Sequence, residues 1–263
     1  MKQSLIREQQ EKLILDLLKE NGNISCSEIK EKLGISTSTV RLRLKNLESE
    51  GFLTRTHGGA VYRQNDTQSF TNQNQITNYE IKAAIARQAI STLHDGEVIT
   101  MGTGTTTQIL ARELCNCKSP APLIVITNSL YVAMELLNRS NTEIRVCGGV
   151  IEQSMGACCG EWADFVLNGI RASKTFLGVD SITLDYEFTQ RYVGAISDEP
   201  LLRHRGELYV LADHTKFENT PYLERICSFA DVNAVITDDQ GDPEKLRMMR
   251  EKGLKIITSP TEI

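Results

Sequence analysis

The sequence predicts an α/β protein of two domains, a small and mainly helical one followed by a larger one with a parallel sheet. Its 263 residues suffice for one small domain and one of ordinary size. Apolar residues recur at helical spacing near the start, and from Tyr79 onward helices alternate with short apolar strands. We therefore expect domains at 1–63 and 79–263, joined by the polar, Asn/Gln-rich linker 64–78.

Composition restricts the class of protein. The chain is 40% hydrophobic and 24% charged, which is typical of a globular protein. It has no apolar run of about 18 residues, and the residues after Met1 lack the apolar core that a signal peptide has. We therefore expect a cytoplasmic protein with no membrane partner. The seven cysteines form no CxxC pair, which predicts free thiols and neither a metal nor a cofactor.

The charge is unevenly distributed along the chain. Residues 1–63 carry 11 lysines and arginines against 8 acidic residues, whereas residues 64–263 carry 18 against 26. A basic head on an acidic body is typical of a nucleic-acid-binding module joined to a second domain.

Three helices are predicted in the basic head. The first covers about Ile6–Glu20, and the second covers Ser25–Gly34, where Glu28 completes a capping box with Ser25. The third follows after a short turn and covers Ser36–Gly51. Two helices joined by a short turn that contains glycine form the helix-turn-helix pattern.

The third helix has two distinct faces. Val40, Leu44 and Leu47 form an apolar stripe at 100° per residue. The opposite side carries hydroxyls, cations and one leucine, namely Ser38, Arg41, Lys45 and Leu42. Hydroxyls near a helix start and longer cations beyond them suit a helix that enters the major groove. The simpler alternative is an amphipathic helix with a solvated face.

The segment Phe52–Tyr62 is predicted to form a β-hairpin. It is rich in Thr, Val and aromatic residues, with Gly58-Gly59 at the expected turn. A hairpin directly after a recognition helix is a wing, and Arg55 and His57 would lie where they can touch the DNA backbone.

Residues 1–62 resemble the DNA-binding head of the DeoR family of bacterial repressors. The matching residues are Ser36, Ser38, Thr39, Val40, Arg41, Leu44, Leu47, Glu48, Gly51, Arg55, His57, Gly58, Gly59 and Ala60. The residues expected to bind DNA are Ser36, Thr37, Ser38, Thr39, Arg41, Lys45, Arg55, His57 and Gly58. Leu42 stands where the family has a second arginine, which predicts an altered operator preference.

The second domain alternates strands with helices. The predicted strands are Val98–Met101, Leu123–Thr127, Ile144–Cys147, Thr175–Val179, Leu208–Ala212, Ala234–Thr237 and Leu254–Ile257. The predicted helices are Glu80–Leu93, Thr107–Leu114, Leu130–Leu137 and Pro243–Gly253. This alternation predicts a largely parallel sheet covered by helices, with ligands beyond the carboxyl ends of the strands.

A glycine- and threonine-rich loop follows the first of these strands. Glycines admit an anion close to the backbone, and a helix N-terminus with hydroxyls offers donors to phosphate. The predicted loop residues are Gly102, Thr103, Gly104, Thr105 and Thr106. The run is not a Walker A loop, because it lacks Gly-Lys-(Ser/Thr). A plain strand–helix turn is the alternative.

Polar residues and glycines also follow the other strands. They are Asn128, Ser129, Gly148, Gly149, Asp180, Asp213 and Lys216. Asn, Ser and Asp suit sugar hydroxyls, and a lysine can neutralise a phosphate as a point charge. Taken singly, each has a simpler interpretation as a helix cap, a turn residue or a surface charge.

Residues 75–257 resemble the effector domain of the DeoR family. The matching runs include Lys82-x-x-Ile85-Ala86, Gly104–Thr107, Thr127–Ser129, Gly148-Gly149, Phe176–Asp180 and Leu211-Ala212-Asp213-x-x-Lys216-Phe217. The resemblance implies a fold related to ribose-5-phosphate isomerase and a sugar phosphate inducer bound by the residues named above.

The chain is therefore interpreted as a DNA-binding regulator, a repressor of a carbohydrate-metabolism operon that responds to a phosphorylated sugar. Its expected partners are double-stranded operator DNA, the sugar phosphate and further copies of itself, as a homodimer or homotetramer. One alternative is a sugar-phosphate isomerase or deaminase with a DNA-binding head, for which Asp180, Asp185 and Glu199 are the candidate bases. Another is a DNA-binding activator or architectural protein without a ligand.

Overall fold

The computed structural model contains two compact units, Met1–Asn65 and Asp66–Ile263, each with its own hydrophobic core. The structure describes residues 10–11, 13–15, 17–18, 23–49, 53–56, 58–62, 76–153, 155–185, 187–190, 199–203, 205–217 and 224–260. In this part of the chain no helix is both long enough and apolar enough to cross a bilayer.

The N-terminal unit combines helices with a small sheet. Its elements are β1 (Asn23–Ser25), α1 (Cys26–Leu33), α2 (Thr37–Ser49), β2 (Leu53–Arg55) and β3 (Gly59–Tyr62). Residues 10–11, 13–15 and 17–18 are also helical, within the range predicted for the first helix.

The ends of α1 follow the prediction. Ser25 Oγ accepts a hydrogen bond from the Glu28 amide at 3.2 Å, and Glu28 Oε2 accepts one from the Ser25 amide at 2.8 Å. Gly34 ends the helix in the left-handed region, at φ +62°. Ser36 Oγ then accepts a hydrogen bond from the Thr39 amide at 3.1 Å and caps α2.

The apolar stripe of α2 lies in the core of the unit. Val40, Leu44 and Leu47 are each at most 1% exposed. They pack with Ile14, Leu18, Ile24, Ile29, Leu53 and Ala60. The opposite face of α2 is thereby directed to solvent.

The sheet of this unit has one more strand than predicted. Its order is β1-β3-β2, and both pairs are antiparallel. Gly58 lies in the hairpin turn, and Gly59 closes it, because its carbonyl accepts a hydrogen bond from the Thr56 amide at 3.0 Å; Gly59 also begins β3 and is paired with Ser25. A Cβ on Gly59 would lie 2.1 Å from the carbonyl oxygen of Ile24, so only glycine allows β1 to approach.

Gly59→Ala should therefore destabilise the N-terminal unit by about 1–3 kcal/mol, the usual cost of forcing atoms into filled space. The neighbouring Gly58→Ala is the matched control, because a Cβ there meets no atom within 4 Å. Native-state hydrogen exchange of the β1–β3 amides in the full chain measures the local free energy of opening. Equal protection in the two variants would contradict the steric argument.

The second unit contains the parallel sheet. Its helices are α3 (Tyr79–Ile90), α4 (Thr105–Asn116), α5 (Leu130–Leu136), α6 (Glu161–Asn168), α7 (Glu199–Arg203) and α8 (Pro243–Glu251). Its strands are β4 (Val98–Met101), β5 (Leu123–Thr127), β6 (Thr142–Val146), β7 (Val150–Glu152), β8 (Ala157–Cys159), β9 (Ala172–Gly178), β10 (Ser181–Thr183), β11 (Glu187–Gln190), β12 (Arg205–Leu211), β13 (Glu224–Cys227), β14 (Ala234–Asp238) and β15 (Ile256–Ser259).

Seven strands form the main sheet, in the order β15-β14-β12-β9-β4-β5-β6. Every neighbouring pair is parallel, which confirms the predicted parallel-sheet α/β fold. The hairpin β7–β8 and the antiparallel sheet β10-β11-β13 were not predicted. The carboxyl ends of β4, β5, β6, β9 and β12 therefore meet at one edge of the sheet.

Helices cover both faces of this sheet. One core joins α3, α4 and α5 to the sheet, and the other joins α6, α7 and α8 to it. Ile76, inside the predicted linker, is buried in the first of these cores. The division into 1–63, 64–78 and 79–263 stays a prediction.

Candidate functional site

The outward face of α2 exposes the side chains predicted to read DNA. Those of Ser36, Thr37, Ser38, Arg41 and Lys45 are exposed, and that of Thr39 is half-buried. Leu42 is 52% exposed in the middle of this face. The face thus combines hydroxyls at the start of the helix, two cations and one apolar side chain.

The wing is fastened to the helices. The Arg55 amide donates to Glu48 Oε1 at 2.8 Å, and Arg55 Nε lies 3.1 Å from Glu48 Oε2. Arg55 is therefore engaged with the end of α2, although its side chain stays exposed. The Gly58 carbonyl accepts a hydrogen bond from the Cys26 amide at 2.8 Å. His57 lies outside the described residues.

The predicted phosphate loop connects β4 to α4 at the carboxyl edge of the main sheet. The Gly102 amide donates to the Phe176 carbonyl at 2.9 Å, which holds the loop against β9. Gly104 has φ +139°, a conformation that favours glycine, and α4 begins at the next residue. Thr105 and Thr106 therefore form the first turn of α4, where the helix amides are unpaired.

The structure adds a residue that was not among the predicted ligands. Lys82, on α3, is only 7% exposed. Its Nζ donates to Thr105 Oγ1 at 3.0 Å and lies 3.9 Å from Asp213 Oδ2. Lys82 begins the buried run Lys82–Ala86. A lysine is unusual at a buried position, and this could have indicated a site residue from the sequence.

Asp213 follows β12 and its carboxylate accepts hydrogen bonds from the Thr215 amide, at 3.0 Å, and from the Thr215 hydroxyl. Burial alone would raise the pKa of the Asp213 carboxyl. The Thr215 hydrogen bond and the charges of Lys82 and Lys216 outweigh burial and hold this pKa below its usual value. A buried carboxylate and a buried ammonium thus share the edge of the sheet.

Lys216 lies on a short 3-10 turn, His214–Phe217, directly after Asp213. The turn is fixed by Asp238, which accepts hydrogen bonds from the His214 amide at 2.7 Å and approaches His214 Nδ1 at 3.0 Å. The Lys216 amide donates to the Asp213 carbonyl at 2.9 Å. Half-buried Lys216 therefore adds a second positive charge beside Asp213.

Asn128 and Ser129 follow β5. Ser129 Oγ accepts a hydrogen bond from the Val132 amide at 3.3 Å and caps α5, which is its simpler interpretation. Asn128 is 1% exposed, and among the described residues its Oδ1 has no hydrogen-bond partner. A buried amide oxygen without a partner is costly, which marks Asn128 as a candidate ligand contact.

The remaining predicted ligands lie further along the same edge. Gly148 and Gly149 follow β6, are exposed and have φ +71° and +112°. Asp180 follows β9 and is exposed, and its amide donates to the Thr189 carbonyl at 3.1 Å, so it begins the β10–β11 hairpin. Lys82 thus joins the loop 102–106 to Asp213, and Lys216 is hydrogen-bonded to Asp213 in turn, whereas Asp180 belongs to the hairpin.

Asn128→Leu should raise the free energy of unfolding of the ligand-free protein by about 1 kcal/mol, because it removes an unsatisfied buried oxygen. Asn233→Leu is the matched control and should be destabilising, since Asn233 Oδ1 accepts a hydrogen bond from the Leu208 amide at 2.7 Å. Urea denaturation of both variants measures the difference. Loss of stability in Asn128→Leu equal to that in the control would show that the Asn128 amide is satisfied.

A helix-turn-helix head joined to a parallel-sheet domain with a glycine–threonine loop at its carboxyl edge is the architecture of a DNA-binding transcriptional regulator. The DeoR-like helix-turn-helix domain matches residues 10–66, and the DeoR C terminal sensor domain matches residues 77–239. The chain therefore belongs to the DeoR family.

Relatives match along nearly the whole chain. The HTH-type transcriptional regulator YulB of Bacillus subtilis is 28% identical over 97% of this chain and 98% of its own length. The lactose phosphotransferase system repressor of Lactococcus lactis is 33% identical over 89% of this chain and 91% of its own. Among solved structures, ribose 5-phosphate isomerase A of Methanocaldococcus jannaschii covers 54% of this chain and 56% of its own, with 20% identity and a TM-score of 0.41.

Proposed function

We propose that this chain represses a carbohydrate-metabolism operon and that a phosphorylated sugar, bound at the carboxyl edge of the main sheet, modulates its affinity for operator DNA. The observation that carries the proposal is the buried ammonium of Lys82, which donates to Thr105 in the first turn of α4. A fixed positive charge beside a helix N-terminus is a site for a phosphate group.

The other edge residues suit the sugar part of such a ligand. Asn128 offers its unsatisfied amide oxygen, and Asp213 offers a carboxylate held ionised by its neighbours. Both accept hydrogen bonds from hydroxyls. The backbone of Gly148 and Gly149 has no side chain to obstruct a ligand, and Lys216 supplies additional positive charge.

In the head, α2 is the proposed recognition helix. Ser36, Thr37, Ser38 and Thr39 lie at its start, where hydroxyls and helix amides suit phosphate, and Arg41 and Lys45 follow on the exposed face. Arg55, His57 and Gly58 of the wing are proposed backbone contacts. Leu42 offers an apolar contact to a thymine methyl, which supports the altered operator preference.

The names of the relatives support this function. Two of them are repressors of a lactose phosphotransferase system, in Lactococcus lactis and Staphylococcus aureus. We infer that this chain likewise regulates carbohydrate genes as a homodimer or homotetramer in the cytoplasm and that it is not an enzyme. Two of the candidate bases are exposed. Asp180 lies directly before the β10–β11 hairpin, and Asp185 lies in its turn. A general base must lie within hydrogen-bond reach of the proton that it abstracts, and a position at an exposed hairpin does not by itself supply this.

The test begins by selecting duplexes that the full chain binds from a random DNA pool. Fluorescence anisotropy then measures affinity for the selected duplex with and without a panel of sugar phosphates and the matching unphosphorylated sugars. A ligand that discriminates between two states of the protein should change affinity by about 5–150-fold. The same ligand should raise the melting temperature, since it binds the folded state.

Failure to select any duplex at moderate salt would overturn the DNA-binding half of the proposal. An equal response to sugars and sugar phosphates, or none to either, would overturn the phosphosugar half. Turnover of ribose or glucosamine phosphates that disappears in Asp180→Ala would favour the enzyme instead.

A further inference from the structure

Helix α6 carries apolar side chains on its buried side and on part of its outward side, beside a polar stripe of Glu161, Asp164 and Asn168. Ala163 and Leu167 are buried in the core beneath it. On the outward face Trp162 is 78% exposed and Phe165 is 82% exposed, with Val166 beside them. Large apolar side chains clustered on one outward surface mark an interaction site, and the described part of the chain leaves these side chains open to solvent.

The exposed surface continues onto β7. Val150, the first residue of β7, is a large exposed hydrophobic residue. Val150 Cγ2 lies 4.0 Å from the Cβ position of Gly160, the residue that immediately precedes α6. We call Val150, Trp162, Phe165 and Val166 the α6–β7 surface. Its members account for four of the eleven large exposed hydrophobic residues in the described part of the chain.

We propose that a second copy of this chain covers the α6–β7 surface and that a twofold axis passes near Phe165. An isologous interface must be complementary to itself, and an apolar surface fulfils this condition. A standard interface buries ~800 Å² on each partner. The rings of Trp162 and Phe165 can supply about 300 Å² of this, and the aliphatic side chains of Val150 and Val166 extend the area.

The charges around the helix agree with this arrangement. Glu161 is exposed at the start of α6, and Arg171 is exposed three residues beyond its end. When two copies of α6 run antiparallel across Phe165, Glu161 of one copy lies beside the C-terminal end of the other helix, near the partner's Arg171. Opposite charges then face each other at both ends of the apolar contact.

The proposed interface is also in contact with the proposed effector site. A Cβ on Gly149 would lie 2.5 Å from the Cys159 carbonyl oxygen and 3.4 Å from the Ala163 amide nitrogen and Cβ. Gly149 therefore packs against the inner side of the same helix whose outer side carries Phe165. A ligand that moves this loop must also move α6, which links effector binding to subunit arrangement. This link rests on the proposed function.

Trp162 is the only tryptophan of the chain, so it reports on the surface directly. In the full-length protein we expect its emission to shift to the blue with rising concentration and acrylamide quenching to weaken several-fold as copies associate. Phe165→Asp should halve the mass measured by analytical ultracentrifugation and make quenching independent of concentration. Met248→Asp is the control, since it places the same charge at an exposed apolar residue on α8. It should leave the mass unchanged.

A far-UV circular dichroism spectrum equal to that of the wild type will show that Phe165→Asp is folded, and Phe165→Ser provides a milder second variant. The proposal is wrong if both keep the wild-type mass, or if Trp162 stays fully quenchable in an oligomeric wild type. Protection of Trp162 in a monomeric wild type would overturn it too, because the cover would then come from the same chain. Sugar phosphates should still raise the melting temperature of Phe165→Asp, so that failure of the interface and failure of the effector site are distinguishable.

Discussion

Replacing Lys82 with methionine should abolish the response to sugar phosphates and lower the free energy of unfolding by about 3 kcal/mol, the lower end of the range for breaking a buried ion pair. The change keeps an unbranched apolar stem of nearly the same length but removes the ammonium. Asp213 then stays buried with one positive neighbour fewer. Thr215 and Lys216 still stabilise its carboxylate, which is why the lower end applies.

The same variant should change how stability depends on pH. In the wild type the pKa of Asp213 is lowered in the folded state, so its contribution to stability is fully present above the unfolded pKa of about 3.9 and is lost as the pH falls through the lower folded pKa. Without Lys82 the folded pKa moves upward toward the unfolded value, so this contribution shrinks and its loss is complete at a higher pH.

Urea denaturation at neutral and acidic pH measures both effects, and fluorescence anisotropy with sugar phosphates measures the response. Lys255→Met is the matched control, because Lys255 is exposed and precedes β15, at the opposite edge of the sheet. A normal effector response in Lys82→Met would remove the main support for the proposed effector site. Equal pH profiles of the variant and the wild type would show that Lys82 does not stabilise the Asp213 carboxylate.

Arg41→Ala should weaken binding to the selected duplex by about 1–3 kcal/mol, which corresponds to roughly 5–150-fold. Arg41 is exposed on the outward face of α2, away from the core residues Val40 and Leu44. If Arg41 contacts a base, the loss should be larger for the selected duplex than for random DNA. Lys45→Ala should instead weaken binding to both kinds of DNA and reduce the slope of affinity against salt by about one if it contacts phosphate.

Lys118→Ala is the control for both substitutions, since it removes one exposed positive charge from the second unit. The affinity of Lys118→Ala for DNA should differ from that of the wild type only by the small effect of one lost positive charge. Arg41→Ala and Lys45→Ala variants that bind as tightly as this control would place the DNA-reading surface elsewhere.

Local rules explain the elements that could be predicted. The capping box at Ser25 and the left-handed Gly34 define the ends of α1 without help from the rest of the chain. The buried strands of the main sheet are short apolar runs that are recognisable one at a time. Strand β1 has only three residues and exists because Gly59 lets it pair with β3, so its cause lies far along the chain.

The candidate site was predictable where it depends on loops and only partly where it depends on packing. The glycines and threonines at 102–106 indicate an anion site by composition. Lys82 becomes a site residue because α3 packs beside α4 and turns its ammonium toward Thr105 and Asp213. That proximity depends on the arrangement of three elements, which neither spacing nor periodicity encodes.

The fastening of the wing determines how the head meets DNA. The Glu48–Arg55 pair and the hydrogen bond from Cys26 to Gly58 connect the hairpin to both helices of the motif. The hairpin therefore loses its conformational entropy when the head folds, and little remains to be lost on association. Such a preorganised head distinguishes one operator from another through its side chains and the deformability of the duplex, rather than by refolding around each sequence.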